Sequence, residues 1–241
     1  MINDSTTNGS WTKPNKMKKI TIFSVALFCC IVTLAQPEFG IFAGPHASSA
    51  IYAIQNAKQS TDSKFGFHAG VDCKIPFENK LTFVPALSYK MMGYKVVFDR
   101  PSFPPDMLAK DNDTRFHEVD IDLLLQYDLS KSASHFFLRA GPSFNFILFG
   151  KEHYNLLTGE DVDRNMKFSV LNSYGRYGAA VVAQVGYETA SGFVIYGHYV
   201  QHLISMSNEE NGPSIRNRMV GITFGRFFKS KKIALNTKNR E

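Results

Sequence analysis

From Glu38 to Phe228 apolar and polar side chains alternate with a period of two, which is the pattern of β-strands with one greasy face. Eight segments carry it: about 38–48, 64–75, 81–93, 115–127, 135–148, 176–188, 193–203 and 216–228. In the fourth, His117, Val119, Ile121, Leu123, Leu125 and Tyr127 form one face, and Glu118, Asp120, Asp122 and Gln126 form the other. In the fifth, Phe136, Leu138, Ala140, Phe144, Phe146 and Leu148 oppose Arg139, Ser143 and Asn145. Away from the segment ends the apolar face holds no charge, and Arg226 lies near the end of the last segment. The opposite face carries Asp72, Lys74, Lys90, Glu118, Asp120, Asp122, Arg139 and Glu188.

A charge-free face is what lipid demands, since a Lys or Arg at the bilayer midplane costs roughly 2–4 kcal/mol. Each segment is about the ~9–11 residues that cross a bilayer on a tilt, plus a little overhang. No apolar run after residue 35 is long enough for a spanning helix, so a membrane form has to close into a barrel that leaves no open sheet edge. The prediction is an all-β, eight-stranded, antiparallel up-and-down transmembrane β-barrel.

A soluble barrel or sandwich would turn the same apolar face inward. Three features favour the membrane form. Glycines such as Gly40, Gly44, Gly66, Gly70 and Gly141 concentrate on the charged face, which suits a narrow lumen. Tyr89, Tyr127, Tyr177, Tyr187 and Tyr199 sit near strand ends on the apolar face, as in an interfacial girdle. The carboxylates of the fourth segment have partners available in Arg139 on the fifth, or in Lys90 or Lys74. The connections alternate too. Short ones (76–80, 128–134 and 189–192) follow the even segments, and long ones (49–63, 94–114, 149–175 and 204–215) follow the odd. Pro45, Pro85 and Pro142 fall inside segments, which predicts bulges or strand ends there.

The basic balance, +6 overall, sits at the chain ends. Residues 1–35 carry +3, from Lys13, Lys16, Lys18 and Lys19 against Asp4, and residues 229–241 carry +4, leaving −1 for 36–228. Nucleic-acid binding would need a basic stripe on the fold itself, so it is set aside. Met17-Lys18-Lys19 and the apolar run Ile20 to Leu34, ending at Ala35-Gln36, read as a secretory signal peptide over residues 17–35. Residues 1–16 read as a polar extension, 36–228 as the barrel and 229–241 as a basic periplasmic tail. Cys73 alone would remain after processing, so no intrachain disulfide is expected.

Phe39-Gly40-Ile41-Phe42-Ala43-Gly44, Gly66-Phe67-His68-Ala69-Gly70, the acidic-then-leucine fourth segment and Leu138-Arg139-Ala140-Gly141-Pro142 resemble the PorT-type outer-membrane β-barrel family of Bacteroidota. The resemblance implies the barrel fold and an outer-membrane location. The family name comes from a barrel involved in protein secretion.

The charged-face residues read first as a structural lumen network, with no cofactor and no metal expected. His68, His198 and His202 share that face with Asp72 and Ser88, so a His–Ser–acid arrangement has to be tested. Outward His117 lacks a Ser beside it. The leading reading is a non-enzymatic outer-membrane protein, with outer-membrane lipid around it and an envelope or secretion protein as partner. A lipid-modifying enzyme and a soluble periplasmic lipocalin-like barrel are the alternatives.

Overall fold

The computed structural model describes residues 37–169 and 173–228. The segments read as polar extension, signal peptide and basic tail lie outside the described residues. Within them the chain forms ten strands. Eight are long: β1 (Glu38–Ile54), β3 (Ser60–Glu78), β4 (Leu81–Val97), β5 (Asp111–Asp128), β6 (His135–Asn155), β8 (Tyr177–Glu188), β9 (Phe193–His202) and β10 (Ser214–Phe228). Two are short, β2 (Ala57–Lys58) and β7 (Asp161–Asn165), and they pair with β1 and β6 beyond the ring.

Each long strand pairs antiparallel with the next, and β10 pairs with β1, which closes the sheet and removes its edges. The stagger of the ring can be read from the registers. Gly40 faces Asp72, then Ala86, Asp122, Ser143, Ala180 and His202 in turn. Gln201, one residue before His202, faces Arg218, so His202 lies level with Asn217, whose partner on β1 is Ala50. The circuit therefore returns ten residues beyond its start. Eight strands with that stagger tilt by about 40° to the axis.

The side chains sort as lipid requires. Asp120 is 0% exposed and Asp122 4%, whereas Ile121 between them is 52% exposed and Leu123 is 37%. Phe39, Phe67, Val71, Leu87, Phe144, Val185, Ile195 and Phe224 are likewise exposed. On β5 this wall runs from Tyr127 to His117. At ~3.3 Å per residue on a ~40° tilt it is about 25 Å tall. Arg226 lies at the short-turn edge with its guanidinium over Phe193 at 4.6 Å. The soluble lipocalin-like reading falls here, because the apolar ridge faces out and the carboxylates face in.

All eight segments are strands, but most extend further at the long-loop end than the alternation indicates. The connection read as 49–63 is a tight turn at Gln55 and Asn56, both at positive φ (47° and 67°), between strands that run on past the wall. Beyond the lipid the outward face no longer has to be apolar, so the alternation fades while the backbone ladder continues. The connections that remain long are 98–110, 156–176 and 203–213.

The three prolines leave the registers unshifted. Pro45 keeps its partner Phe67 on β3 and Pro142 keeps Val181 on β8, each losing a pair only toward the other neighbour. Pro85 keeps Leu123 on β5. A strand residue directs its N–H to one side only, so a proline whose missing donor meets a local gap needs no extra residue. Gly44 and Gly141 make those gaps possible. A Cβ on either would collide with a neighbouring carbonyl oxygen, Ile222 O or Leu123 O. The irregularities lie elsewhere, between Ser63 and His68, Pro76 and Glu78, and His117 and Glu118.

Candidate functional site: a sealed lumen and its outer rim

The lumen is filled in layers. At the short-turn end Phe137, Tyr196 and Phe227 close it, with Val194. The Lys74 ammonium stands 4.2 Å over Phe227 and the Arg139 guanidinium 4.5 Å over Phe137. Inward-facing cations can sit there because each is both stacked and paired. Lys74 binds Glu188, while Arg139 donates to Gln126 Oε1 at 2.6 Å and lies 3.7 Å from Asp72.

The middle layer holds the carboxylate run of β5. Period-two alternation puts Glu118, Asp120 and Asp122 on one inward line, and Lys90 on β4 projects into it. Lys90 Nζ lies 2.5 Å from Asp120 Oδ2. Ser143 donates to that same oxygen at 3.3 Å, and Asn145 donates to Glu118 Oε2 at 3.1 Å. One oxygen each of Glu118, Asp120 and Asp122 has no hydrogen-bond partner. All eight charged residues singled out from the alternation are thus inside the barrel. Arg139, however, does not neutralise the β5 run. It sits lower, against Asp72, and Lys90 takes that place. Period two fixes which face a residue takes, but register and stagger fix its height.

The histidines form a separate chain. His46 and His68 meet at 3.2 Å through their Nδ1 atoms, His68 Nε2 reaches Thr223 Oγ1 at 2.9 Å, and Thr223 reaches His198 Nδ1 at 3.0 Å. His202 lies 3.7 Å from Glu118. The Ser88 hydroxyl has no hydrogen bond, so the His–Ser–acid arrangement is not assembled. Sequence reasoning missed His46, although it shares the inward face of β1 with Gly40 and Gly44. Among the described residues no group of three or more His, Cys, Asp or Glu is arranged to hold a metal. The cavity bounded by Asp72, Ser88, Lys90, Asp122, Arg139 and His198 has about 20 Å³ free, space for a single water.

Above this the lumen turns apolar, with Tyr52, Met92, Tyr94, Phe116, Tyr174, Ile215 and Met219 buried together. The long connections fold onto that plug. Tyr52 hydrogen-bonds to Ser102 at 2.8 Å and to Pro104 O at 2.9 Å. Tyr174 donates to Glu152 Oε2 at 2.8 Å, and Arg164 donates to Glu152 Oε1 at 2.7 Å and to Pro105 O at 2.7 Å. Burial, then the neighbouring Tyr94 and Glu152, push the Tyr174 hydroxyl well above the usual phenol range, so it stays a donor. Nearby, burial opposes ionisation of Asp113, but Lys64 and Lys95 outweigh it and hold the carboxyl below its usual range.

On the outer wall, His117 is not alone. Its Nδ1 hydrogen-bonds to the Tyr89 hydroxyl, and its ring stacks on Phe149 at 4.5 Å.

A closed ring with its charges sealed inside and its wall apolar is a transmembrane β-barrel. The chain belongs to the family described as outer membrane protein beta-barrel domain, whose model matches residues 34–208, and the protein resides in the outer membrane. Solved structures of similar shape include Neisserial surface protein A, at 15% identity and a TM-score of 0.41 over 79% of this chain and 97% of that one. Ail, the attachment invasion locus protein of Yersinia pestis, shares 12% identity with a TM-score of 0.40, over 79% and 99%. OprG from Pseudomonas aeruginosa shares 12% identity with a TM-score of 0.40, over 81% and 98%. No curated protein matches the chain.

Proposed function

We propose that this protein is a non-enzymatic barrel that works by contact, its outer cap binding a protein partner in secretion or envelope upkeep. The observation that carries this reading is the sealed lumen. Among the described residues an aromatic floor, a charged middle with about 20 Å³ free and an apolar plug fill the lumen, so the surfaces open to function are the wall and the rims. On the cap, Met107, Leu108 and Leu157 are 55%, 50% and 69% exposed. They form one tip, because Leu157 N donates to Leu108 O at 2.8 Å and Ala109 bridges Leu156. An apolar tip held beyond the lipid on a folded loop suits a protein contact. Kinship with the PorT-type barrels of Bacteroidota is part of the same proposal, supported by Leu138-Arg139-Ala140-Gly141-Pro142 and the acidic β5.

Photo-crosslinking in intact cells tests it. A crosslinker at Met107 or Leu157 is expected to capture a discrete protein that one at lipid-facing Val220 does not. Identical products at all three positions would exclude the tip as the contact surface. Unchanged protein secretion in a deletion strain would remove the secretion role.

One observation favours a second reading, a lipid-modifying enzyme: the Tyr89–His117 pair faces outward near the rim. That reading requires a lipid profile that changes on deletion and is not restored by His117→Ala.

A further inference from the structure

The cations of the long-loop rim are of two kinds. Lys64 and Lys95 both bind Asp113, His153 faces Asp163 at 3.0 Å, and Arg164 is held by Glu152. Arg115 and Lys151 have no such partner among the described residues. They stand directly opposite each other on β5 and β6, and both are exposed. Like charges in that position repel and destabilise a ladder. The residues directly opposite on the two flanks carry no charge, Gly93 facing Arg115 from β4 and Asn165 facing Lys151 from β7, and the diagonal Asp163 is paired with His153. The carboxylate two residues before Arg115 is Asp113, already shared by two lysines.

What lies beneath the pair indicates its counter-ion. His117 follows Arg115 on the outward face of β5, and Phe149 precedes Lys151 on that of β6. Their stacked rings form a shelf, steadied by the Tyr89 hydroxyl, at the top of the lipid-facing wall. Phe146 and the exposed Tyr177 continue it, with ring centres 5.1 Å apart. An aromatic shelf at the edge of the hydrocarbon, with two cations one step further out, matches a lipid whose chains end where its phosphate begins.

We propose that Arg115 and Lys151 jointly bind the phosphate of an anionic lipid of the outer leaflet, whose adjoining apolar part rests on the His117–Phe149 shelf. The guanidinium fork orients phosphate oxygens and the ammonium adds a second charge. A shared phosphate turns the cross-strand repulsion into a bridge.

The test is native mass spectrometry of the folded protein in neutral detergent, offered equal amounts of diphosphoryl lipid A and a phosphate-free diacylglycerol. Wild type is expected to retain the phosphorylated lipid at least about tenfold over the neutral one, the scale of a charge-assisted hydrogen bond. R115Q/K151Q is expected to lose that preference, while R226Q at the opposite rim keeps it. K151E guards against misfolding, because it creates a cross-strand ion pair with Arg115 and so should fold while losing the lipid. Equal retention by wild type and K151E, or no preference in wild type, overturns the proposal. So does displacement of the lipid by millimolar inorganic phosphate, which would mark a small-anion site.

Discussion

Lys90 is the residue whose removal most directly tests the physics of the lumen. Its side chain is 5% exposed and that of Asp120 is 0%, so neither charge has water to fall back on. Lys90→Met keeps most of the volume and removes the cation. Asp120 then keeps only the hydroxyl of Ser143, and among the described residues no Lys or Arg stands within ion-pair distance of the run Glu118, Asp120 and Asp122, with only the His202 imidazole 3.7 Å from Glu118. Breaking a buried pair from one side costs about 3–5 kcal/mol, because the abandoned charge stays desolvated. At about 1.4 kcal/mol per decade, that lowers the folding equilibrium constant by two to three and a half orders of magnitude. Removing both partners in Lys90→Met/Asp120→Leu should recover most of the loss, since an apolar pair of similar volume does without both charges. Urea unfolding in lipid vesicles measures it, followed by far-ultraviolet circular dichroism and by heat-modifiable gel migration. Tryptophan fluorescence cannot serve, because the only Trp is Trp11, ahead of the barrel. A loss below about 1 kcal/mol for Lys90→Met, or a double variant no better than the single one, would refute the claim that this pair compensates the carboxylate run.

Three further outcomes follow from the same geometry. Ile121→Lys, in the middle of the lipid-facing wall, should cost about 2–4 kcal/mol in the vesicle assay, whereas His117→Lys near its edge should cost about 0–1. Equal costs would contradict the placement of the wall. Gly141→Ala should destabilise by about 1–3 kcal/mol, because the new methyl meets the Leu123 carbonyl rather than a flexible side chain. Wild-type stability would mean that β5 and β6 do not approach as closely as described. Asp113 has a lowered pKa, so its contribution is present above the ordinary carboxylate value and is lost as pH falls through the lowered one. The gap between wild type and Asp113→Asn, below about 1 kcal/mol at this partly exposed site, should therefore exist at pH 7 and close below about pH 4. A gap that widens in acid would reverse the sign of the argument.

The alternation of residues determined a good deal by itself. It separated Ile121 and Leu123 from Asp120 and Asp122, marked eight strands and placed eight charged residues on one face. Side-chain direction in a strand is local, set by the pleat of each residue, so a linear pattern can carry it. The tertiary structure decided everything that depends on position along the barrel axis. Only the pairing registers of β4 with β5, β1 with β3 and β5 with β6 put Lys90 rather than Arg139 beside the β5 carboxylates, bring His46 to His68, and set Arg115 against Lys151. It also decided that the stretch read as loop 49–63 is a hairpin, because ladder hydrogen bonds continue beyond the lipid after the alternation has faded. Register is a relation between two strands, so the pattern within one strand does not carry it.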